Sequence, residues 1–235
     1  LSLVSVADTT APTVSAGGDK TANAAFTQTA TATDANAMTY SWTKQTGTGT
    51  IVFGSPNALP TTVSASADGI YTLRFTATDA AGNSAYSDLT LVWDTVAPDT
   101  TITSQPANPT NSTSASFSFT STEAASTFEC QLDSGGYSTC TSPKSYTGLT
   151  AGSHTFYARA NDSAGNTDAT PASDIWTIDT TAPAFSSTSY SSNSFINTAT
   201  VGYSLSKAVS SGKITFTRTG GTADSSAHVY NFTSS

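Results

Sequence analysis

Charge is scarce in this chain. Asp, Glu, Lys and Arg make up 10% of its 235 residues, where about a quarter is usual, and Ser and Thr fill much of the gap with 83 positions. The surface is hydroxyl-rich rather than ionic. The few charges are also unbalanced: 8 basic against 16 acidic groups leave a net charge of −8, which argues against nucleic acid or an anionic membrane surface as partner and is compatible with cations. Histidine is limited to His154 and His228, and there is no Walker loop, GxSxG elbow, HExxH, CxxC pair or spaced histidine cluster. No catalytic residues are expected, and the chain reads as something other than an enzyme. No apolar run is long enough to span a membrane, and no window has the i, i+3, i+4, i+7 spacing of an amphipathic helix. An initiator methionine is lacking too: the chain begins at Leu1 and reads as a segment of a longer protein whose signal peptide or anchor lies outside it.

What is present is repetition. "DTTAP" at Asp8 to Pro12 returns as "DTVAP" at Asp94 to Pro98 and as "DTTAP" at Asp179 to Pro183, spacings of 86 and 85 residues. A second motif keeps nearly the same period, "ATDAAGN" from Ala77 returning as "ANDSAGN" from Ala160. Units of this length can each bury their own core. The DTxAP element reads as a linker, since Pro fixes φ and removes a backbone donor, so the chain leaves one unit in a restricted direction. The expected partition is 1–11, the end of a preceding linker; 12–96 and 97–181, two complete units; and 182–235, an incomplete repeat. That last stretch lacks a third DxAGN turn, so the parent chain is expected to continue with at least three more strands.

Runs such as "YTLRFTATD" (Tyr71 to Asp79) and "SASFSFTST" (Ser114 to Thr122) alternate apolar and small polar residues with period 2. These are strands with one buried face. Turn clusters at short intervals separate them, and the expected architecture is all-β: antiparallel sandwiches of about seven strands per unit, strung in tandem, end to end, as a rod.

Tyr40 and Trp42 in "MTYSWTK" share a face, and "DGIYTL" (Asp68 to Leu73) follows later. With these residues the chain resembles the immunoglobulin-like and PKD-like repeats of large bacterial extracellular proteins of the adhesin type. The Trp matches that family's core tryptophan and DGxY its tyrosine corner, with Leu73 where antibody domains place a cysteine. The first unit is PKD-like or Ig-like; the second, in "SFTSTEAASTFECQLDSGGYSTCTSPKSYTGL" followed by "GSHTFYARANDSAGNTD", resembles a bacterial Ig-like repeat more closely. "VGYSLSKAVSSGKITFTRTGGTAD" from Val201 looks like the opening strands of a related repeat.

The two cysteines are placed by counting. A hairpin turning on Ser134 to Gly136 sets Cys130 directly opposite Cys140, and a cross-strand disulfide is expected, worth on the order of 2 to 3 kcal/mol and implying an oxidising compartment. His154 aligns with Tyr71 and is expected to be structural; His228 has no identifiable partner. Trp42 is expected in the core, while Trp93 and Trp176, just before linkers, are expected to pack on the neighbouring unit. A carbohydrate-stacking platform of exposed aromatics is the competing reading.

In a seven-strand sandwich the turn after strand two and the turn before strand seven face the entering linker, so acidic elements converge there. They are Asp8, Asp34 and Asp79 with Asn83 for the first unit, and Asp94, Glu123 and Asp162 with Asn166 for the second. Three carboxylates, an amide, carbonyls and water are a Ca²⁺ donor set. The alternative is that Asp79 and Asp162 cap tight turns completed by Gly82 and Gly165, with the linker Asp solvated. In the third unit Lys207 stands where Glu123 stands, so it should repel a divalent ion and pair with Asp179. The resemblance implies a non-enzymatic stalk or spacer of a secreted or surface-anchored bacterial adhesin or extracellular filament. The expected partners are neighbouring repeats of the chain, other copies in a fibre, and a glycan or cell-surface ligand reached through domains outside this portion. The runner-up is a carbohydrate-binding or spacer module of a secreted hydrolase.

Overall fold

The computed structural model describes residues 7–189, 202–207, 211–216 and 228–233; from residue 185 on, side chains are described only at 205–207 and 213. The regular elements described are all strands. The chain divides into two compact units, Leu1–Ile178 and Asp179–Ser235, and the first holds two separate hydrophobic cores.

The first core lies among β1 (Thr13–Ser15), β2 (Lys20–Ala22), β3 (Phe26–Gln28), β4 (Thr31–Thr33), β5 (Met38–Thr46), β6 (Ile51–Phe53), β7 (Thr61–Ala65), β8 (Gly69–Asp79) and β9 (Ser84–Trp93). These form a four-stranded sheet β2-β9-β8-β5, a three-stranded sheet β3-β7-β6 and the pair β1-β4. β8 shows why the sequence folds this way. Tyr71, Leu73, Phe75, Ala77 and Asp79 are buried at every second position, while Ile70, Thr72, Arg74, Thr76 and Thr78 between them are not. Each large apolar side chain so buried is worth roughly 1.5–3 kcal/mol. Trp42, from β5, lies 5.1 Å from the Phe75 ring and 6.0 Å from Phe53. On the outer side of the sheet Arg74 bonds Asp88 through two nitrogens at 2.8 Å and lies over the Tyr86 ring.

The second core lies among β10 (Thr100–Ser104), β11 (Ala115–Ser121), β12 (Thr127–Leu132), β13 (Ser138–Cys140), β14 (Lys144–Tyr146), β15 (Gly152–Asn161) and β16 (Ala172–Ile178). Sheets β10-β11-β14 and β13-β12-β15-β16 enclose Phe117, Phe119, Phe156, Trp176 and Ile178. Phe117 stacks on Phe156 at 4.1 Å and meets Trp176 edge-on at 5.0 Å.

Four expectations need correction. Trp93 and Trp176 belong to the cores of their own sandwiches and not to a neighbouring unit, because both alternate inward at the ends of β9 and β16. The sandwiches are not wholly antiparallel: β2 runs parallel to β9, and Thr110 bridges Ile178 in parallel. In each case the entering chain crosses from one sheet to the other. The first sandwich also has nine described strands rather than about seven.

The cysteines are the fourth case. They are joined, Cys130 to Cys140, with Cα atoms 5.8 Å apart, but the register pairs Cys130 with Ser138 and Phe128 with Cys140. The bridge is diagonal across two residues. Asp133 supplies the reason: its N–H donates to the Thr155 carbonyl and its carboxylate accepts from the Thr155 N–H, so β12 stays attached to β15 past Leu132. The chain then turns tightly through Asp133 at φ 53°, with the Gly135 N–H donating to the Leu132 carbonyl. Even offsets keep both cysteines on one face, which is why the bridge still closes.

In the unit Asp179–Ser235, β17 (Phe185–Ser189) pairs with β18 (Gly202–Leu205), and β19 (Ser211–Phe216) pairs with β20 (His228–Thr233). The side chain of His228 and residues 208–210, which follow Lys207, lie outside the described residues.

Candidate functional site

The two acidic sets meet in space. One carboxylate oxygen from each of Asp8, Asp34 and Asp79 lies within 4.8 Å of the others, and the same holds for Asp94, Glu123 and Asp162. Each set combines the linker Asp, a residue of the turn that follows β4 (Asp34) or β11 (Glu123), and the first residue of a DxAGN turn.

The DxAGN turns are built alike. In the first, Asp79 Oδ1 accepts from the N–H groups of Ala81 and Asn83, and Oδ2 accepts from Asn83 Nδ2 at 2.9 Å. In the second, Asp162 Oδ1 accepts from the N–H groups of Gly165 and Asn166, and Oδ2 accepts from Asn166 Nδ2 at 2.7 Å. Gly82 at φ 92° and Gly165 at φ 95° complete them in the left-handed region. Asn83 Nδ2 also donates to the main-chain oxygen of Asp8 at 3.1 Å, and Asn166 Nδ2 to that of Asp94 at 2.9 Å. Turn capping and carboxylate convergence thus coexist. The hydrogen bond from Asn83 holds the Asp79 carboxyl below its usual range, ahead of its own main-chain donors. Burial pushes Asp162 up, but the Asn166 amide and the turn N–H groups bring it down on balance.

The linker Asp residues are not simply solvated. Asp8, Asp94 and Asp179 are partly buried or bridged, and each caps the N–H two residues on, Thr10 at 2.9 Å, Val96 at 3.1 Å and Thr181 at 3.0 Å. The second linker is held from both sides: the Asp94 N–H donates to Ala22 and the Thr95 N–H to Asp68 Oδ1, both from the first sandwich, while Asn166 grips it from the second. Two residues join this picture that sequence reasoning missed. Asn23 donates to Asn166 Oδ1 at 3.0 Å, and the Asn36 amide bridges Asp8 and Asp34. Both are single amides outside any repeated motif, so no sequence signal marked them.

The second set carries the sharper charge conflict. Glu123 is pushed up, first by burial and then by the charges of Asp94 and Asp162. In the third repeat Lys207 bonds Asp179 and donates to the Thr181 carbonyl at 3.1 Å. There an ammonium takes the position that Glu123 has in the second.

Could Ca²⁺ fit the two acidic sets? It takes six to eight oxygens at about 2.3–2.6 Å, and a carboxylate oxygen that accepts one N–H keeps a second lone pair. The donor chemistry, all oxygen and anionic, suits a hard divalent cation.

The aromatic reading fares differently. Trp42, Trp93 and Trp176 are all buried, so the tryptophans form no stacking platform. His154 does occupy the tyrosine-corner position: Tyr71 Oη donates to the Ala67 carbonyl at 2.6 Å, and His154 Nε2 lies 2.9 Å from the Thr150 carbonyl, four residues back in both cases.

Comparison with known proteins bears on the fold. Residues 16–92 match the family described as "K319L-like, PKD domain"; the first sandwich is PKD-like. No curated protein matches. Among solved structures, the fibronectin(III)-like modules of Clostridium thermocellum CbhA share 16% identity over 71% of this chain and 93% of theirs, with a TM-score of 0.42. The PKD domain from KIAA 1837 protein shares 19% over 38% of this chain and 92% of its own, at 0.32. The tandem Ig repeats of Dlar share 13% over 72% and 97%, at 0.27. Among the described residues the chain is all-β, with Ig-like and PKD-like sandwiches, a fold typical of structural or binding modules, and with a disulfide such modules are typical of extracellular proteins. Among the described residues no helix is long and apolar enough to cross a membrane.

Proposed function

We propose that this chain is a non-enzymatic stalk or spacer segment of a secreted or surface-anchored bacterial adhesin or extracellular filament, with Ca²⁺ stiffening the entry ends of its first two sandwiches. The observation that carries the reading is the repeated junction: a linker Asp whose main-chain oxygen is gripped by an Asn of the DxAGN turn, and whose carboxylate meets two others. Such an arrangement has little value to a catalyst and direct value to a chain that must hold successive sandwiches in a fixed direction. An ion there would neutralise three carboxylates that otherwise repel one another. The Lys207–Asp179 pair supports a cation at the other two positions, since the third repeat carries its own positive charge in that place.

Calorimetry and small-angle scattering of the whole chain test this. Titration with Ca²⁺ should show two weak sites, and the distribution of molecular dimensions should narrow with Ca²⁺ relative to chelator. Absence of binding heat at millimolar Ca²⁺ would leave the carboxylates as turn formers. A binding signal on a glycan array would instead favour the hydrolase-module reading, which the buried tryptophans count against.

A further inference from the structure

His154 is held between two acceptors. Its Nε2 lies 2.9 Å from the Thr150 carbonyl oxygen and its Nδ1 lies 2.9 Å from Asp133 Oδ2. A carbonyl oxygen can only accept, and an ionised carboxylate can only accept. Both ring nitrogens must then carry hydrogen, which makes the ring an imidazolium. The carboxylate is the ionised partner: burial pushes Asp133 up, but the hydrogen bonds from His154 and the Thr155 N–H hold it below its ordinary value. The neutral ring has one lone pair, and that lone pair would face an acceptor oxygen on one side or the other. Each arrangement costs a hydrogen bond at a residue that is 8% exposed.

The two acceptors belong to different loops. Asp133 opens the turn between β12 and β13, the hairpin that the Cys130–Cys140 bridge closes. Thr150 lies in the connection from β14 to β15. Both loops sit where β15 begins and β16 ends, with Gly152 paired to Ile178 and His154 to Trp176. This is the end from which the chain leaves the sandwich, opposite the Asp162–Asn166 turn. We propose that His154 is a proton-operated clasp at this exit end: protonated, it bonds the β12–β13 turn and the loop before β15 together, and on losing its proton to solvent it gives up one of these two bonds.

The surroundings of the ring are consistent with this. From β16 it meets the Trp176 ring at 5.4 Å. From the turn after β12 it meets Asp133, the charge that faces it. From β14, Tyr146 packs on Phe156, and its hydroxyl is pushed up by burial and then by Asp133, while the Lys144 ammonium lies 5.3 Å from the Tyr146 ring centre. The Thr150 carbonyl and then Asp133 raise the His154 pKa above its ordinary value. A histidine whose pKa is raised on folding contributes stability that is fully present below its unfolded pKa and is lost as pH rises through the folded one. Asp133, lowered, contributes above its unfolded pKa and loses that contribution on acidification. The His154–Asp133 pair therefore contributes most in the mildly acidic interval between the ordinary carboxylate and histidine values. The first sandwich has Tyr71 rather than a histidine at the same corner, and it lacks the clasp.

The test uses the whole oxidised chain. With two histidines in the sequence, the His154 imidazole can be followed by NMR in buffer and in urea, and the urea midpoint of the second sandwich by resolved amide signals. His154 should titrate above the histidines of the unfolded chain, and the second sandwich should lose urea resistance between about pH 5 and pH 8 while the first does not. D133N should bring the His154 titration down towards the unfolded value. H154Y should restore the uncharged corner and flatten the pH dependence. If H154Y does not fold, D133N carries the test. A His154 titration at or below the unfolded value, a pH-independent midpoint in the wild type, or a titration unmoved by D133N would each overturn the proposal.

Discussion

Tyr71 and His154 solve one problem with different chemistry. Each strand entering the sheet at that point needs a donor for a carbonyl four residues back, and a phenol or an imidazole can reach it. Only the imidazole brings a second ring nitrogen, which faces Asp133. Tyr71 is fully buried, so Y71F keeps its packing and removes one hydrogen bond, leaving the Ala67 carbonyl without its donor. A loss of about 1–2 kcal/mol is expected, confined to the first sandwich and read from its urea midpoint. The DxAGN carboxylates give the opposite pH sign to His154. Asp79 and Asp162 are both held below their ordinary values by hydrogen bonds to the charged form, so what they contribute is present above the unfolded carboxylate value, about pH 4, and is lost as pH falls through their folded values. Acid unfolding of N83A should therefore begin from a less stable state and show a shallower pH dependence than the wild type, because its Asp79 is no longer held down.

At the level of elements, period and turn chemistry decide what can be read in advance. β8 and β15 are legible in the sequence, because strict alternation over ten or eleven residues leaves no competing assignment. So are the DxAGN turns, which combine an Asx cap with a glycine at positive φ. β2 is not: three residues, "KTA", carry no period, and their parallel pairing with β9 depends on where the rest of the sheet stands. The cysteine register fails for a similar reason. Counting outward from a glycine pair assumes that the turn is set locally, whereas Asp133 is fixed by β15, twenty-two residues on. The acidic sets are legible because the repeat aligns them; Asn23 and Asn36, each present once, are not. The turn glycines offer a clean measurement. A Cβ at Gly82 would meet nothing within 4 Å, yet its φ is +92°, so G82A tests backbone strain alone and should cost about 1 kcal/mol. Gly136 is equally open and lies outside the left-handed region, so G136A should be within about 0.5 kcal/mol of neutral.

For the whole molecule, the third repeat serves as an internal control on the first two. Lys207 bonds Asp179 and the Thr181 carbonyl, so its ammonium lies against the linker carboxylate and a linker carbonyl. Glu123, at the aligned position, is instead pushed up by burial and by Asp94 and Asp162. If calcium resolves that conflict in the second sandwich, a lysine placed there should do so without calcium. E123K converts a set of three carboxylates into two carboxylates and an ammonium, which neutralises the repulsion and removes one ligand. The remaining bonds at this junction, Asn166 to the Asp94 oxygen, Asn23 to Asn166 and Thr95 to Asp68, are untouched. Calcium stoichiometry should fall from two to one, and the spread of dimensions in chelator should narrow towards that of the calcium-loaded wild type. An E123K chain that still binds two ions would show that the Asp94, Glu123 and Asp162 set is not one of the sites. One that binds a single ion but remains as broadly distributed in chelator as the wild type would show that the ion, if bound, does not stiffen the junction.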